Sequence, residues 1–165
     1  MILRDLTVGL FGLTAAILLP VVLQLSNTWY SYLPMEAAIL MTGLMARPPV
    51  ALAVGLNAPI ILSMITGRPP LMPPVGVVMA MGGFALGATA SLVRHYMNPR
   101  LLIASAIAIA VQRWSEAVAS AMLAERLGLP DRLAALSTLI RDPFEAVLLL
   151  LVVPGLVYLA QRMTP

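Results

Sequence analysis

Apolar residues dominate six stretches of the chain, and proline, glycine or charged residues separate each stretch from the next. The stretches cover residues about 6–24, 35–46, 50–66, 73–93, 101–123 and 143–161. A straight helix needs about 20 residues, at about 1.5 Å each, to cross a hydrocarbon core of about 30 Å. The second stretch is too short for this and the third is marginal, so neighbouring helices must bury both. The pattern predicts an all-α bundle of six transmembrane helices, with the second and third helices short.

The composition places this bundle in a membrane. Of the 165 residues, 61% are hydrophobic and 10% are charged, whereas soluble domains average about 45–50% apolar and about 25% charged residues. The length suits one integral membrane domain over residues 1–165 and leaves no room for a soluble catalytic domain of ordinary size. The first stretch lacks a small-residue cleavage pattern, so we expect it to remain as the first helix.

The ten basic residues are all arginine and are scattered along the chain, so they form no patch that would follow a nucleic-acid backbone. With the amino terminus inside, five arginines fall on the cytoplasmic side and four on the outer side. The cytoplasmic set is Arg4, Arg47, Arg94, Arg100 and Arg162. Because basic residues concentrate in cytoplasmic loops, the count favours a multi-pass protein with both termini in the cytoplasm.

One apolar stretch carries polar residues at its centre. Gln112, Arg113 and Glu116 are spaced three and four residues apart, which places them on one helical face. A charge at this depth costs about 2.5–3.5 kcal/mol even on the lenient insertion scale, so it needs a partner or a cavity. Glu36, which opens the second helix, and Asn57, midway along the third, are candidate neighbours. Either a carboxylate neutralises Arg113 and fixes the bundle, or these residues line a polar pocket for a small solute.

The loops predicted on the outer side offer further candidates. Trp29 and Tyr30 lie between the first two helices, where aromatic residues either anchor the interface or stack on a ligand ring. The segment "GRPPLMPPVG" at 67–76 contains four prolines and forms either a stiff lid over a pocket or a rigid connector. Further along, the spacing of apolar residues over 127–142 predicts either a short amphipathic helix along the interface or a connector packed on the bundle.

The residue inventory argues against enzymatic chemistry. The chain has no cysteine, so disulfides, thiolate metal sites and cysteine nucleophiles are all excluded. The one histidine, His95, follows Arg94 at the end of the fourth stretch, away from any nucleophile at shared depth. No Gly-x-x-x-x-Gly-Lys loop occurs that would bind ATP. We therefore expect neither catalysis nor a bound metal or cofactor.

Residues 34–123 contain "PMEAAILMTGLMARPPVALAVGLNAPIILSMITGRPP" followed by "AIAIAVQRWSEAVASAML". This region resembles the substrate-binding S components of energy-coupling factor (ECF) vitamin transporters. The matching features are a methionine-led short second helix, glycine and proline in the third helix, a Gly-x-Pro outer loop and an arginine in the fifth helix. They correspond to Met35, Gly55, Pro59, Gly67, Pro69 and Arg113. The chain departs from the family at Glu36, where many relatives carry histidine, and in the fourth helix, which lacks the acid found in many relatives.

The resemblance implies a protein of the bacterial cytoplasmic membrane that binds a vitamin or cofactor precursor near its outer face. Its partners would be a membrane T component and two cytoplasmic ATPases. In the family a small-x-x-x-small face on the first helix docks the T component, and Gly12 with Ala16 has that spacing. A different class, the rod-shape-determining membrane scaffolds, shares the length and about six helices. The predicted substrate-binding residues are Arg113, Glu116, Gln112, Glu36, Asn57, Trp29 and Tyr30.

Overall fold

The computed structural model describes residues 2–25, 32–68, 74–127 and 143–163. Within them the chain forms six α-helices: α1 (Ile2–Leu25), α2 (Leu33–Met45), α3 (Pro48–Thr66), α4 (Val75–Leu92), α5 (Leu101–Met122) and α6 (Pro143–Met163). A π-helical turn, Val93–Met97, extends α4. Five of the helices are long and apolar enough to cross a membrane, whereas α2 has 13 residues. The prediction of an all-α, multi-pass membrane bundle is therefore confirmed.

The turn between α2 and α3 leads into α3 through Arg47, Pro48 and Pro49. Helix α2 ends at Met45, and Pro48 and Pro49 form the first turn of α3. Proline is favoured there because the first helical amides have no partner inside the helix and its ring already holds a helical φ. Helix α3 is therefore 19 residues long and begins two residues earlier than the sequence pattern predicts. At its other end, Gly67 adopts φ 69° and stops the helix.

Helix α2 lies at the centre of the bundle and packs against α1, α3, α4, α5 and α6. Its Met35, Ile39 and Leu40 are almost wholly buried. This surrounds the short helix with protein rather than lipid, as the sequence predicts for a segment too short to span. Its backbone is also covered, which matters because hydrocarbon offers no hydrogen-bond partners.

Glycines bring α3 and α4 close together. A side-chain carbon at Gly55 would overlap the backbone of Gly83, and one at Gly87 would overlap the carbonyl of Ala51. Small residues allow membrane helices to approach until their backbones touch, which increases van der Waals contact where no hydrophobic driving force acts. These contacts hold α4 firmly against α3 and fix the position of its other face, which is turned toward α5.

The bundle has two ends. At the Arg47 end, α2 finishes and α3 begins, and Arg47 Nε pairs with Asp5 Oδ2 of α1 at 3.4 Å. Nearby, Ser91 Oγ of α4 donates a hydrogen bond to the Ala46 carbonyl at 2.7 Å. At the opposite, Glu36 end, α2, α4 and α6 begin while α1, α3 and α5 finish. These polar contacts tie α1 and α4 to the turn between α2 and α3.

Candidate functional site

Charged side chains from three helices meet inside the Glu36 end of the bundle. Glu36 lies in the first turn of α2, and Glu145 lies in the first turn of α6. Arg113 and Glu116 come from the second half of α5. We call these four residues together with Gln112 the Arg113 cluster. Its members converge because the beginnings of α2 and α6 pack beside α5, which turns its polar face inward.

Arg113 is the centre of the cluster. Its Nη1 lies 3.4 Å from Glu116 Oε2, and its Nη2 lies 3.6 Å from Glu145 Oε2 and 3.8 Å from Glu36 Oε2. Its side chain is 12% exposed, so these contacts are formed largely away from solvent. Charge-assisted N–H···O hydrogen bonds typically measure about 2.7–2.9 Å. The guanidinium is therefore surrounded by carboxylates without being tightly bonded to any of them.

Gln112 and Glu116 form the firmest contact of the cluster. Gln112 Nε2 donates to Glu116 Oε1 at 3.0 Å, one helical turn along α5. This bond also fixes which end of the Gln112 amide carries the oxygen, because a carboxylate accepts from the NH2 group and not from the carbonyl. Gly82 of α4 supplies the space for Glu116, since a side-chain carbon at Gly82 would overlap the Glu116 carboxylate.

Three buried polar atoms of the cluster have no hydrogen-bond partner among the described residues. They are Glu36 Oε2, Gln112 Oε1 and Arg113 Nη2. Gln112 is 1% exposed and Glu36 is 6% exposed, so bulk water does not compensate for the missing bonds. A buried polar atom left unsatisfied costs about 1–3 kcal/mol. Buried groups of this kind are few in native structures, and each one calls for an explanation such as strain or a bound molecule or ion.

The structure brings together four of the residues predicted to bind substrate, namely Gln112, Arg113, Glu116 and Glu36. Asn57 does not join them. It lies on the exposed side of α3, where its Nδ2 donates to the Ala53 carbonyl at 2.7 Å. Trp29 and Tyr30 fall outside the described residues, as does the amphipathic helix predicted over 127–142, apart from Leu127.

Gly12 and Ala16, predicted to dock a partner helix, are buried within the chain. A side-chain carbon at Gly12 would overlap Thr42 of α2, and Ala16 is fully buried in the core. Their spacing thus allows α1 to approach α2 inside one protein. An apolar groove of about 280 Å³ lies along the same contact, lined by Thr7, Val8, Phe11, Gly12, Ala15, Ala38, Met41, Thr42 and Met45. Docking of a T component at this face stays a prediction.

Two members of the site were missing from the sequence-based set. Glu145 contacts Arg113 as closely as Glu36 does, and Gly82 makes room for Glu116. A signal for Glu145 was present, since an acid opening an apolar helix needs a partner just as Glu36 does. The Gly82-Gly83 pair offered a second signal, because two adjacent glycines in a helix present one close-approach face to α3 and another to α5.

The described residues contain no group of three or more His, Cys, Asp or Glu side chains arranged to hold a metal ion. The three glutamates of the Arg113 cluster instead face a guanidinium, at N···O distances of 3.4–3.8 Å. In chemical terms the cluster can neutralise charge, accept hydrogen bonds at Glu36 and Gln112, and donate one from Arg113. These properties suit either a buried ion-pair network or a site that binds a small polar group.

No family model, curated protein or solved structure matches this chain. The functional assignment therefore depends on the residues and their geometry.

Proposed function

We propose that this chain is the membrane-embedded substrate-binding subunit of an ECF-type transporter, which takes up a vitamin or cofactor precursor. In this proposal the Arg113 cluster binds the polar part of the substrate. A T component and two ATPases supply the energy, because the chain itself carries no ATP-binding loop. The protein sits in the bacterial cytoplasmic membrane with both termini inside, so that the Glu36 end faces outward.

The observation that carries the proposal is the incomplete bonding of the Arg113 cluster. A purely structural ion pair in a membrane is stabilising only when its geometry is good and its remaining polar atoms are bonded. Here the contacts of Arg113 range from 3.4 to 3.8 Å, and three buried atoms lack hydrogen-bond partners among the described residues. Binding energy gained by completing these bonds would be available to hold a solute.

The alternative is a non-enzymatic membrane scaffold like the rod-shape-determining proteins, in which the cluster only fixes the bundle. One observation favours it: the carboxylates around Arg113 come from α2, α5 and α6, so the cluster cross-links three helices. The two functions differ in what the cluster does once the bundle is folded. A scaffold holds no solute there, whereas a binding subunit does.

The test is to purify the full chain in mild detergent, denature it and identify the released small molecules by mass spectrometry. Gln112→Leu is the variant of choice, because it removes polar atoms without changing the charge of the cluster. We expect the wild-type protein to release a small molecule that folded Gln112→Leu has lost. Asn57→Leu, which changes a polar residue on the outer face of α3, is the matched control and should retain it. Equal release from wild type and folded Gln112→Leu would contradict the proposal.

Transport itself is tested by expressing the chain with a T component and the two ATPases. Uptake of the molecule identified in this way should require all of these partners and should fall with Gln112→Leu. Uptake by the chain alone would argue against an ECF-type mechanism.

A further inference from the structure

The Arg113 cluster is rich in carboxyl groups. Three of them, from Glu36, Glu116 and Glu145, lie within 3.8 Å of the guanidinium of Arg113. The side chains concerned are 8–18% exposed, so these groups are held together with little solvent. Carboxyl oxygens in such a place attract hydrogen-bond donors and positive charge more strongly than they do in water, because the local dielectric is low.

Three buried atoms of the cluster lack hydrogen-bond partners, and two of them are acceptors, Glu36 Oε2 and Gln112 Oε1. Both acceptors belong to residues that are more than nine-tenths buried. The amide oxygen of Gln112 cannot exchange places with its nitrogen, because Nε2 already donates to Glu116 at 3.0 Å. The site therefore lacks donors more than it lacks acceptors.

We propose that the Arg113 cluster binds the cationic group of an organic solute, a protonated amine or an amidinium, with its N–H groups donating to Glu36 Oε2 and Gln112 Oε1. The inference rests on the proposed function and names the chemical class of its substrate. A bound ammonium or amidinium supplies both the missing donors and positive charge. A carboxylate ligand could reach Nη2 of Arg113 but would place its own oxygens beside three carboxyl groups and would leave both acceptors unsatisfied.

The proposal also separates one kind of cation from another. A quaternary ammonium carries positive charge but has no N–H group, so it leaves both acceptors unsatisfied. Binding that depends on N–H donation should therefore favour amidinium or primary ammonium over a trimethylated analogue. A site that responds to charge alone would not discriminate between them.

The experiment measures thermal unfolding of the purified full chain in detergent with two matched series of probes. The first is benzamidine, benzamide and benzoate, with benzyltrimethylammonium as the cation without N–H donors. The second is phenethylamine, 3-phenylpropanamide and 3-phenylpropanoate, which differ in length from the first. We expect benzamidine or phenethylamine to raise Tm saturably, because a ligand that binds only the folded state stabilises it. The neutral, anionic and trimethylated members should leave Tm unchanged.

Two variants locate the effect. Glu36→Gln and Gln112→Leu each remove one of the acceptors. In both variants the amine concentration that gives half of the maximal Tm shift should therefore rise at least tenfold. Asn57→Leu keeps the cluster intact and should respond like the wild type. Arg132→Gln with Arg141→Gln tests whether the chain supplies its own cation, since both arginines lie outside the described residues. An amine response that appears only in this double variant overturns the proposal.

The remaining outcomes separate the charge class from the proposed function. Saturable stabilisation by the carboxylates that is lost in Arg113→Gln would overturn the cation assignment, yet would leave a solute site at the cluster. An amine response that persists in both Glu36→Gln and Gln112→Leu would also overturn it, since the amines then bind elsewhere. No response to any probe, together with no small molecule released from the wild-type protein, would overturn the cation assignment and the proposed function together.

Discussion

The carboxylate of Glu116 fills the space that a side chain at Gly82 would occupy. A carbon at Gly82 would lie 2.8 Å from the Glu116 carboxyl carbon, well inside van der Waals contact. The two residues lie on α4 and α5, so the absence of a side chain on one helix sets the position of an acid on the other. The hydrogen bond from Gln112 to Glu116 depends on this arrangement.

Replacing Gly82 with alanine should disturb the site more than the fold. The Glu116 side chain is flexible and can move away from the new methyl group, while alanine favours the helix over glycine by about 0.5–1 kcal/mol. We expect Gly82→Ala to keep its unfolding free energy within about 1 kcal/mol of wild type but to lose the small molecule released on denaturation. Chemical unfolding in mixed micelles and mass spectrometry measure the two quantities.

Gly155→Ala is the control for this substitution. Gly155 is an exposed glycine inside α6, and nothing lies within 4 Å of the carbon that alanine would add. Gly155→Ala should raise the unfolding free energy slightly, because alanine favours the helix, and the protein should still release the small molecule. If Gly82→Ala retained the molecule as Gly155→Ala does, the position of Glu116 would not matter for binding.

Removing the central cation should destabilise the bundle. Arg113→Ala leaves the carboxylates of Glu36, Glu116 and Glu145 without their shared partner, and breaking a buried pair in this way typically costs about 3–5 kcal/mol. Neutralising Glu36 as well should restore part of that loss, because fewer unpaired charges remain. Unfolding curves of Arg113→Ala and of Arg113→Ala with Glu36→Gln test this. Equal stability of the two variants would show that a charge on Glu36 is not what destabilises Arg113→Ala.

The ion pair at the Arg47 end should contribute little. Asp5 is 8% exposed, but Arg47 is 42% exposed, and pairs open to solvent contribute about 0.2–1 kcal/mol. A double-mutant cycle with Asp5→Asn and Arg47→Gln should therefore give a coupling energy below about 1 kcal/mol. A coupling energy of several kcal/mol would mean that this pair, and not helix packing, holds α1 to the turn between α2 and α3.

The orientation in the membrane is open to a labelling experiment, because the chain has no native cysteine. His95 and Arg68 are exposed and lie at opposite ends of the bundle. With the amino terminus inside, Arg68→Cys should react with a membrane-impermeant maleimide added to intact cells. His95→Cys should react only after the cells are opened. Reaction of both from outside would contradict the predicted topology.

The helices could be read from the sequence because each signal is local. An apolar stretch and the proline or glycine that bounds it lie next to each other along the chain, so no knowledge of packing is needed. The start of α3 is the exception. The sequence pattern predicts that the helix begins after the proline pair, at residue 50, whereas it begins at Pro48 because proline suits the first turn of a helix. The polar face of α5 could be predicted from the sequence in the same way, since its three residues lie on one helix.

Sequence alone could not decide which polar residues meet across helices. Asn57 has the right depth to join Arg113, but its side of α3 faces outward, because the glycine face of that helix packs on α4. Glu145 lies on a different helix from Arg113, and no periodicity links the two positions. In both cases the answer depends on how the helices are rotated against each other, which the pattern within one helix does not specify.

If the proposed function holds, the shortness of α2 reduces the distance that a solute has to travel. Its 13 residues cover about 20 Å, against a hydrocarbon thickness of about 30 Å. With its Arg47 end level with one membrane surface, the Glu36 end stops about 10 Å below the other. A solute held at Glu36 has then passed about a third of the permeability barrier before any conformational change takes place.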